Sequence, residues 1–317
     1  MEIPDGADYN VREIMKPFLK WTGVGLFILV VMVSLGGTVF YISSQSRLER
    51  IYVVPDEQVP VSNVETNVEN GKHIFQIRGC ESCHGEKLEG KVYLSDPALG
   101  AVIATNLTNG KGGVGGTYSD IDWVKTIRHG VRPNGKALLF MPSIEFYFLS
   151  DGDLGAVIGY IKSALPADHV QPASSLSLTG RAAMFFVKSI TFVPAELIPH
   201  SATRPVSPKQ AVTSEFGEYL TPSCKVCHGP GLSGGKIPGF PEGWPSAANL
   251  TVSQDRFMPY WDKQGFFNII RTGTTRHNRE INPQYMPWSS YKFMTDTELE
   301  AVWLYLQSLP PKPFGNR

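Results

Sequence analysis

Cys80-Glu81-Ser82-Cys83-His84 and Cys224-Lys225-Val226-Cys227-His228 decide how this chain folds, and between them they use all four of its cysteines. C-x-x-C-H is the attachment signature of c-type haem: two thiols add to the porphyrin vinyl groups and the adjacent imidazole ligates the iron. Two intervening residues let one helical turn present both thiols, and the next residue aims its ring at the metal. A thioredoxin-like redox pair or half of a zinc site shares part of the pattern. A zinc site built from all four cysteines would have to join two distant pairs, so two copies with no cysteine left over favour two covalently bound haems c.

The surroundings of the two motifs also repeat. Asn106-Leu107-Thr108 matches Asn249-Leu250-Thr251, Ile127-Arg128-x-Gly130 matches Ile270-Arg271-x-Gly273, and Met141-Pro142 matches Met286-Pro287. Asp153-Leu154-x-Ala156-Val157-x-x-Tyr160 matches Glu298-Leu299-x-Ala301-Val302-x-x-Tyr305, all at an offset of 143–145 residues. Two homologous modules follow one another, at 65–168 and 209–317, joined by a connector at 169–208.

Each module predicts a short helix into the haem motif (Asn70 to Arg78, Thr213 to Leu220), then a Gly- and Pro-rich loop. A middle helix follows (Asp120 to Arg128, Tyr260 to Arg271), then a loop carrying Met-Pro. The last helix opens on a capping signal, Ser150-x-x-Asp153 or Thr295-x-x-Glu298. Leu299, Val302, Trp303 and Leu306 form an apolar stripe on it, and Pro166 and Pro310 supply stops. In the connector, Met184, Phe185, Phe186 and Val187 are too few to span a membrane and are expected in the cleft between the modules, ahead of a Pro-rich, strand-like stretch.

An electron-carrying haem needs a ligand opposite the histidine, and a thioether favours ferrous iron. Met141 and Met286 stand 57 and 58 residues after His84 and His228, at matching places in the repeat. Methionine is more often a core filler, but position and duplication single these two out over Met258 and Met294. The expected cofactor-binding set is therefore Cys80, Cys83, His84, Met141, Cys224, Cys227, His228 and Met286, with His84, Met141, His228 and Met286 on iron and no catalytic residue.

The Pro97 carbonyl is expected to receive the His84 Nδ1 proton, with Pro238 or Pro241 as the counterpart. Arg128 and Arg271 are either propionate partners or solvated helix ends. His73, His129, His169, His200 and His277 read as surface residues. The N-L-T triplets fit a glycosylation sequon, but their place in the repeat suggests backbone bonding near the haem. Gly110 to Gly116 superficially resembles a phosphate loop and lacks its G-K-[ST] ending.

Trp21 to Gln45 holds no charged residue, enough to cross a hydrocarbon core of about 20 helical residues. The run exceeds a signal h-region and has no clear cleavage site after it; Trp21 and Tyr41 sit where interfacial aromatics belong. The reading is a cytoplasmic tail at 1–20, an uncleaved anchor at 21–43 and a linker at 44–64. Haem attachment outside the bacterial cytoplasmic membrane places both modules on that side. Lys plus Arg equals Asp plus Glu at 29 each, which gives no support to nucleic-acid binding.

From C-x-x-C-H through N-L-T, I-R-x-G and M-P to D/E-L-x-A-V-x-x-Y, residues 65–317 resemble the class I cytochrome c family. More narrowly they resemble the haem modules in cytochrome subunits of membrane-bound bacterial alcohol and sugar-acid dehydrogenases. Those subunits usually carry three modules where this chain has two; anchor plus two haems is also similar to the dihaem subunits of some terminal oxidases. The resemblance, together with the transmembrane helix read from the apolar run, implies an all-α fold with two tandem cytochrome c domains after that helix. The function expected is a one-electron relay in a respiratory or photosynthetic chain, partnered by the membrane and by a redox protein or integral membrane oxidoreductase. The alternative is a dihaem enzyme such as a peroxidase, against which a methionine in both modules argues. A third reading, a structural subunit with incidental haems, is opposed by two complete ligand sets.

Overall fold

The computed structural model of the chain describes residues 11–187, 191–240, 243–253 and 262–316. It divides into a part ending at Arg50 and a compact unit running from Ile51 onward. The first part is dominated by helix α1, Val11–Leu48, of which Met15–Leu48 is long and apolar enough to cross a membrane. Leu26, Phe27, Met32 and Leu35 on it are exposed, as in a helix whose apolar surface is matched to something other than a protein core.

The compact unit holds two cores. In the first half, α2 (Glu65–Ile77) crosses α6 (Asp151–Ser163). In the second, α8 (Ser214–Leu220) crosses α12 (Asp296–Ser308). Both crossings depend on a glycine. A Cβ on Gly71 would stand 2.0 Å from the Ala156 carbonyl oxygen, and one on Gly217 would stand 2.0 Å from that of Ala301. Either substitution must separate the helices. Phe75, Trp123, Leu154 and Ile158 fill the first core, and Phe216, Phe266, Leu299 and Leu306 the second. A fully buried side chain of this kind contributes about 1.5–3 kcal/mol.

The middle helices are α4, Asp120–His129, and α10, Lys263–Thr272. The repeated I-R-x-G acquires a physical meaning at their ends. Ile127 and Ile270 are buried in the cores, and Gly130 and Gly273 adopt left-handed φ of 67° and 69° as helix caps. The last helices begin at the expected caps: Ser150 and Thr295 accept from the backbone N–H of Asp153 and Glu298. Tyr260 and Met258 lie outside the described residues.

The unit is mostly helical, in rough agreement with the expected all-α fold, and the first half adds a small sheet to it. β1 (Lys91–Asp96) and β2 (Gly100–Ala104) form an antiparallel hairpin, and β3 (Ser175–Leu176) adds to it. Asp96 Oδ1 accepts from Ala98 and Leu99 N–H at 2.7 and 2.9 Å, which closes the turn, and Val92, Val102 and Ile103 suit extended backbone. The matching segment of the second half is rich in Gly and Pro and forms one isolated bridge there, Gly235 to Ala247.

Of the expected linker, residues 51–62 are laid along the first half. Tyr52 N–H bonds the Gly135 carbonyl, and Pro60 and Ser62 press on Gly155 and Gly159. The connector forms helix α7, Leu178–Phe186, and a 3-10 turn at Pro194–Glu196, with no strand among the described residues beyond it. Met184 is buried, but Phe186 is 80% exposed, and α7 packs on β3. Helix α7 thus lies at the first half's sheet edge.

His129 is fully buried instead of lying on the surface. The His200 Nε2 bonds the Ala195 carbonyl at 3.0 Å and so carries the proton there; its Nδ1 accepts from His129 Nδ1 at 2.8 Å. The second His129 nitrogen faces Glu57 at 3.3 Å, a carboxylate already held by Arg128 and Arg204. Burial pushes the His129 imidazole down to about 4. The unfolded chain takes up this proton first, so stability falls as pH drops from about 6.5 toward 4. A loss of about 3 kcal/mol is expected over that window. Urea unfolding between pH 7 and 4 measures it, and His129→Gln should flatten that part of the curve.

Candidate haem sites

Each C-x-x-C-H stretch is a single helical turn. α3 spans Cys80–His84 and α9 spans Pro222–His228. Gly79 enters α3 with φ 73°, and Gly85 and Gly229 leave both turns with φ 82°. The four cysteines are half-buried. Burial pushes the Cys80 thiol up to about 12 and the Cys224 thiol up to about 11. That disfavours the thiolate that zinc binding or disulfide exchange requires, whereas a thioether carries no charge. No group of three or more His, Cys, Asp or Glu converges on a metal position among the described residues, so the two cysteine pairs do not join in a shared zinc site.

Both histidines are oriented by a backbone carbonyl. His84 Nδ1 bonds the Thr105 oxygen at 2.8 Å, and His228 Nδ1 bonds the Ala248 oxygen at 2.7 Å. A carbonyl can only accept, so Nδ1 carries the proton and Nε2 keeps the lone pair that a metal needs. Burial also lowers the His84 pKa, against the Thr105 bond, which favours the neutral ring. The acceptors are thus Thr105 and Ala248 rather than Pro97 and Pro238; Pro241 lies outside the described residues. The signal was present in the sequence, since each acceptor immediately precedes an N-L-T triplet.

The triplets hold those carbonyls in place. Asn106 Oδ1 accepts from Thr108 N–H at 2.9 Å and its Nδ2 donates to the Ala167 carbonyl at 2.7 Å. Asn249 does the same with Thr251 at 2.9 Å and Lys312 at 2.8 Å. The Thr108 and Thr251 hydroxyls accept in return from Ala167 and Lys312 N–H. All four side chains are buried. Each triplet therefore stitches the chain leaving the last helix to the loop that orients the histidine, and backbone bonding is its role in this fold.

Met141 and Met286 lie on equivalent loops. Pro142 and Pro287, with φ/ψ of −78°/53° and −79°/50°, each cap a short helix, α5 (Ser143–Phe146) and α11 (Trp288–Tyr291). Met141 packs on the core that also holds Cys80, and Met286 on the core that holds Cys224. Met294 is instead 6% exposed in the second core. The residues present thus match the donor set of a covalent haem in each half.

Arg128 and Arg271 both bond groups within the protein. Arg128 bonds Glu57, Asp151 and the Leu149 carbonyl. Arg271 bonds Asp296 and the Lys292 and Met294 carbonyls. In both halves the guanidinium braces the middle helix to the start of the last one.

The two halves meet across an approximate twofold. Tyr219 donates to Asp153 at 2.5 Å, and His73 Nε2 bonds Glu298 at 2.8 Å; Asp153 and Glu298 are repeat equivalents. Gly79 lies against Ser290, and Ser223 lies beside Glu145, again an equivalent pair of contacts. Ser82 and Ser290 hydroxyls are 3.0 Å apart, and Ile77 enters the second core. Each half thus offers its post-methionine helix and its last helix to the other half's haem turn and preceding helix. His73 is a seam residue, not a surface one.

The cytochrome c family profile matches residues 68–165 and 217–310, more than half of the chain. The chain belongs to the cytochrome c family. Members of this family hold haem c covalently, and two matched regions agree with two attachment turns. This cytochrome is also similar to the fructose dehydrogenase cytochrome subunit of Gluconobacter japonicus, 25% identical over 81% of this chain and 56% of the relative. The quinone-type alcohol dehydrogenase cytochrome c subunit of Gluconacetobacter polyoxogenes is 25% identical over 78% of this chain and 56% of its own length. The gluconate 2-dehydrogenase cytochrome c subunit of Pantoea cypripedii is 25% identical, over 77% and 60%. The cytochrome therefore spans a little over half the length of these relatives.

Proposed function

We propose that this cytochrome is a membrane-anchored electron relay with two haems c, serving as the cytochrome subunit of a dehydrogenase complex on the outer face of the bacterial cytoplasmic membrane. Cys80, Cys83, His84 and Met141 would hold one haem. Cys224, Cys227, His228 and Met286 would hold the other. The domain limits are 65–168 and 209–317, and α1 is the anchor. The haem supplies one-electron chemistry at its iron when bound. The protein contributes burial, a fixed imidazole, a soft second ligand and a rigid spacing between the two sites.

The observation that carries this reading is the duplication of the whole donor set. In each half a carbonyl orients the histidine and a Met-Pro loop packs on the same core as the attachment cysteine. The dehydrogenase partner is supported by the names of the relatives, and tethering would raise the effective concentration of the two proteins for each other. Two covalent haems by denatured-protein absorbance, and no carbon monoxide binding after reduction, are the expected results. Strong binding at either haem would overturn the closed relay and return the peroxidase alternative.

A further inference from the structure

The seam between the halves contains a buried cation that belongs to both sites. Arg78 is 9% exposed and stands two residues before Cys80. Its guanidinium crosses to the other half and donates to the Leu220 carbonyl at 3.2 Å and the Tyr219 carbonyl at 3.1 Å. Leu220 lies four residues before Cys224. The same side chain lies over the Tyr219 ring at 5.8 Å. Its Nε is buried without a protein partner, so the two carbonyls, which bear no net charge, do not use all of its donors. No carboxylate is paired with it among the ion pairs of the described residues.

We propose that Arg78 is a shared positioning residue, one guanidinium that sets the potentials of both haem sites and holds the seam across which the electron passes. The proposal rests on the haem assignment above. Transfer across the seam oxidises one site and reduces the other, with no bond made or broken. A buried positive charge favours the form of a nearby redox site that carries one electron more, and it does so strongly where water is excluded. Burial pushes both the Cys80 and Cys224 thiols up, and Arg78 pulls both down, so its field reaches the two attachment turns in the same sense. An opposing group is Glu145, whose carboxyl burial pushes up to about 7; near neutral pH it offsets Arg78 only in part.

The test is a spectroelectrochemical titration of the full-length, detergent-solubilised holoprotein and its variants. Arg78→Gln keeps a donor for one carbonyl and removes the charge. It should lower both midpoint potentials together, with the methionine-ligated spectrum retained. Arg78→Lys keeps the charge and should bring both back toward the parent values. A shift at one haem alone, or at neither, overturns the proposal. Should Arg78→Gln fail to accumulate, Glu145→Gln decides: both potentials should rise together, and a rise at one haem or none is the contrary result. Loss of one covalent haem in the parent protein would instead defeat the haem assignment, which separates the two failures.

Discussion

Replacing Met141 or Met286 by alanine should convert a closed haem into an open one. The reduced parent is expected to bind no carbon monoxide, and each single variant one equivalent, with a clear fall in that haem's midpoint potential. The fall follows from the ligand: a thioether stabilises ferrous iron, and water or an empty position does not. Neither methionine is deeply buried, so truncation leaves the cores near Trp123 and Phe266 filled and the protein folded. Each variant also labels its own half, because the altered potential belongs to the haem on the same core. An unchanged potential with no gas binding would show that the methionine is packing rather than a ligand. Met294→Ala is the informative comparison. It should destabilise the second core by about 2–5 kcal/mol and leave both haems closed.

Asn106→Ala and Asn249→Ala should be among the most destabilising polar substitutions in the chain. Asn106 satisfies Thr108 N–H and the Ala167 carbonyl, and Asn249 satisfies Thr251 N–H and the Lys312 carbonyl. The bonds to Thr108 and Thr251 are buried, and those to Ala167 and Lys312 are part-buried. Leaving such groups unpaired costs on the order of 3 kcal/mol, roughly 5–10 °C in Tm for a unit of this size. A second effect separates this clamp from generic stability. The freed loop carries Thr105 or Ala248, the acceptor of the histidine Nδ1–H, so the corresponding haem potential should move while the other stays put. Calorimetry and redox titration of the same samples check both arms. A stability loss with both potentials unmoved would show that the triplet does not govern the histidine.

Much of each half was legible because its determinants are local or repeated. The C-x-x-C-H turns, the capping pairs at Ser150 and Thr295 and the glycine ends of the middle helices are encoded within a few residues. The correspondence between the halves also distinguished Met141 and Met286 from Met294. The β1–β2 hairpin was hidden because the repeat led to a loop in both halves, although Val92, Tyr93, Val102 and Ile103 carry the β-branched and aromatic chemistry of strands in one of them. Pro97 was a poor guide to the histidine acceptor for a similar reason. Distance along the chain says little about which carbonyl a folded loop turns inward.

By itself the sequence determined the family, the two attachment turns, the candidate axial residues and an apolar segment long enough to cross a membrane. Covalent attachment and helical periodicity act over short stretches, so they are written in short stretches. Only the tertiary structure decided what orients each histidine, that Arg128 and Arg271 brace helices, and that Arg78, His73, Tyr219, Asp153 and Glu298 form one seam. The seam contacts join residues 66 to 225 positions apart. Partners at that separation are chosen by how the two cores pack against each other, not by anything adjacent in the chain.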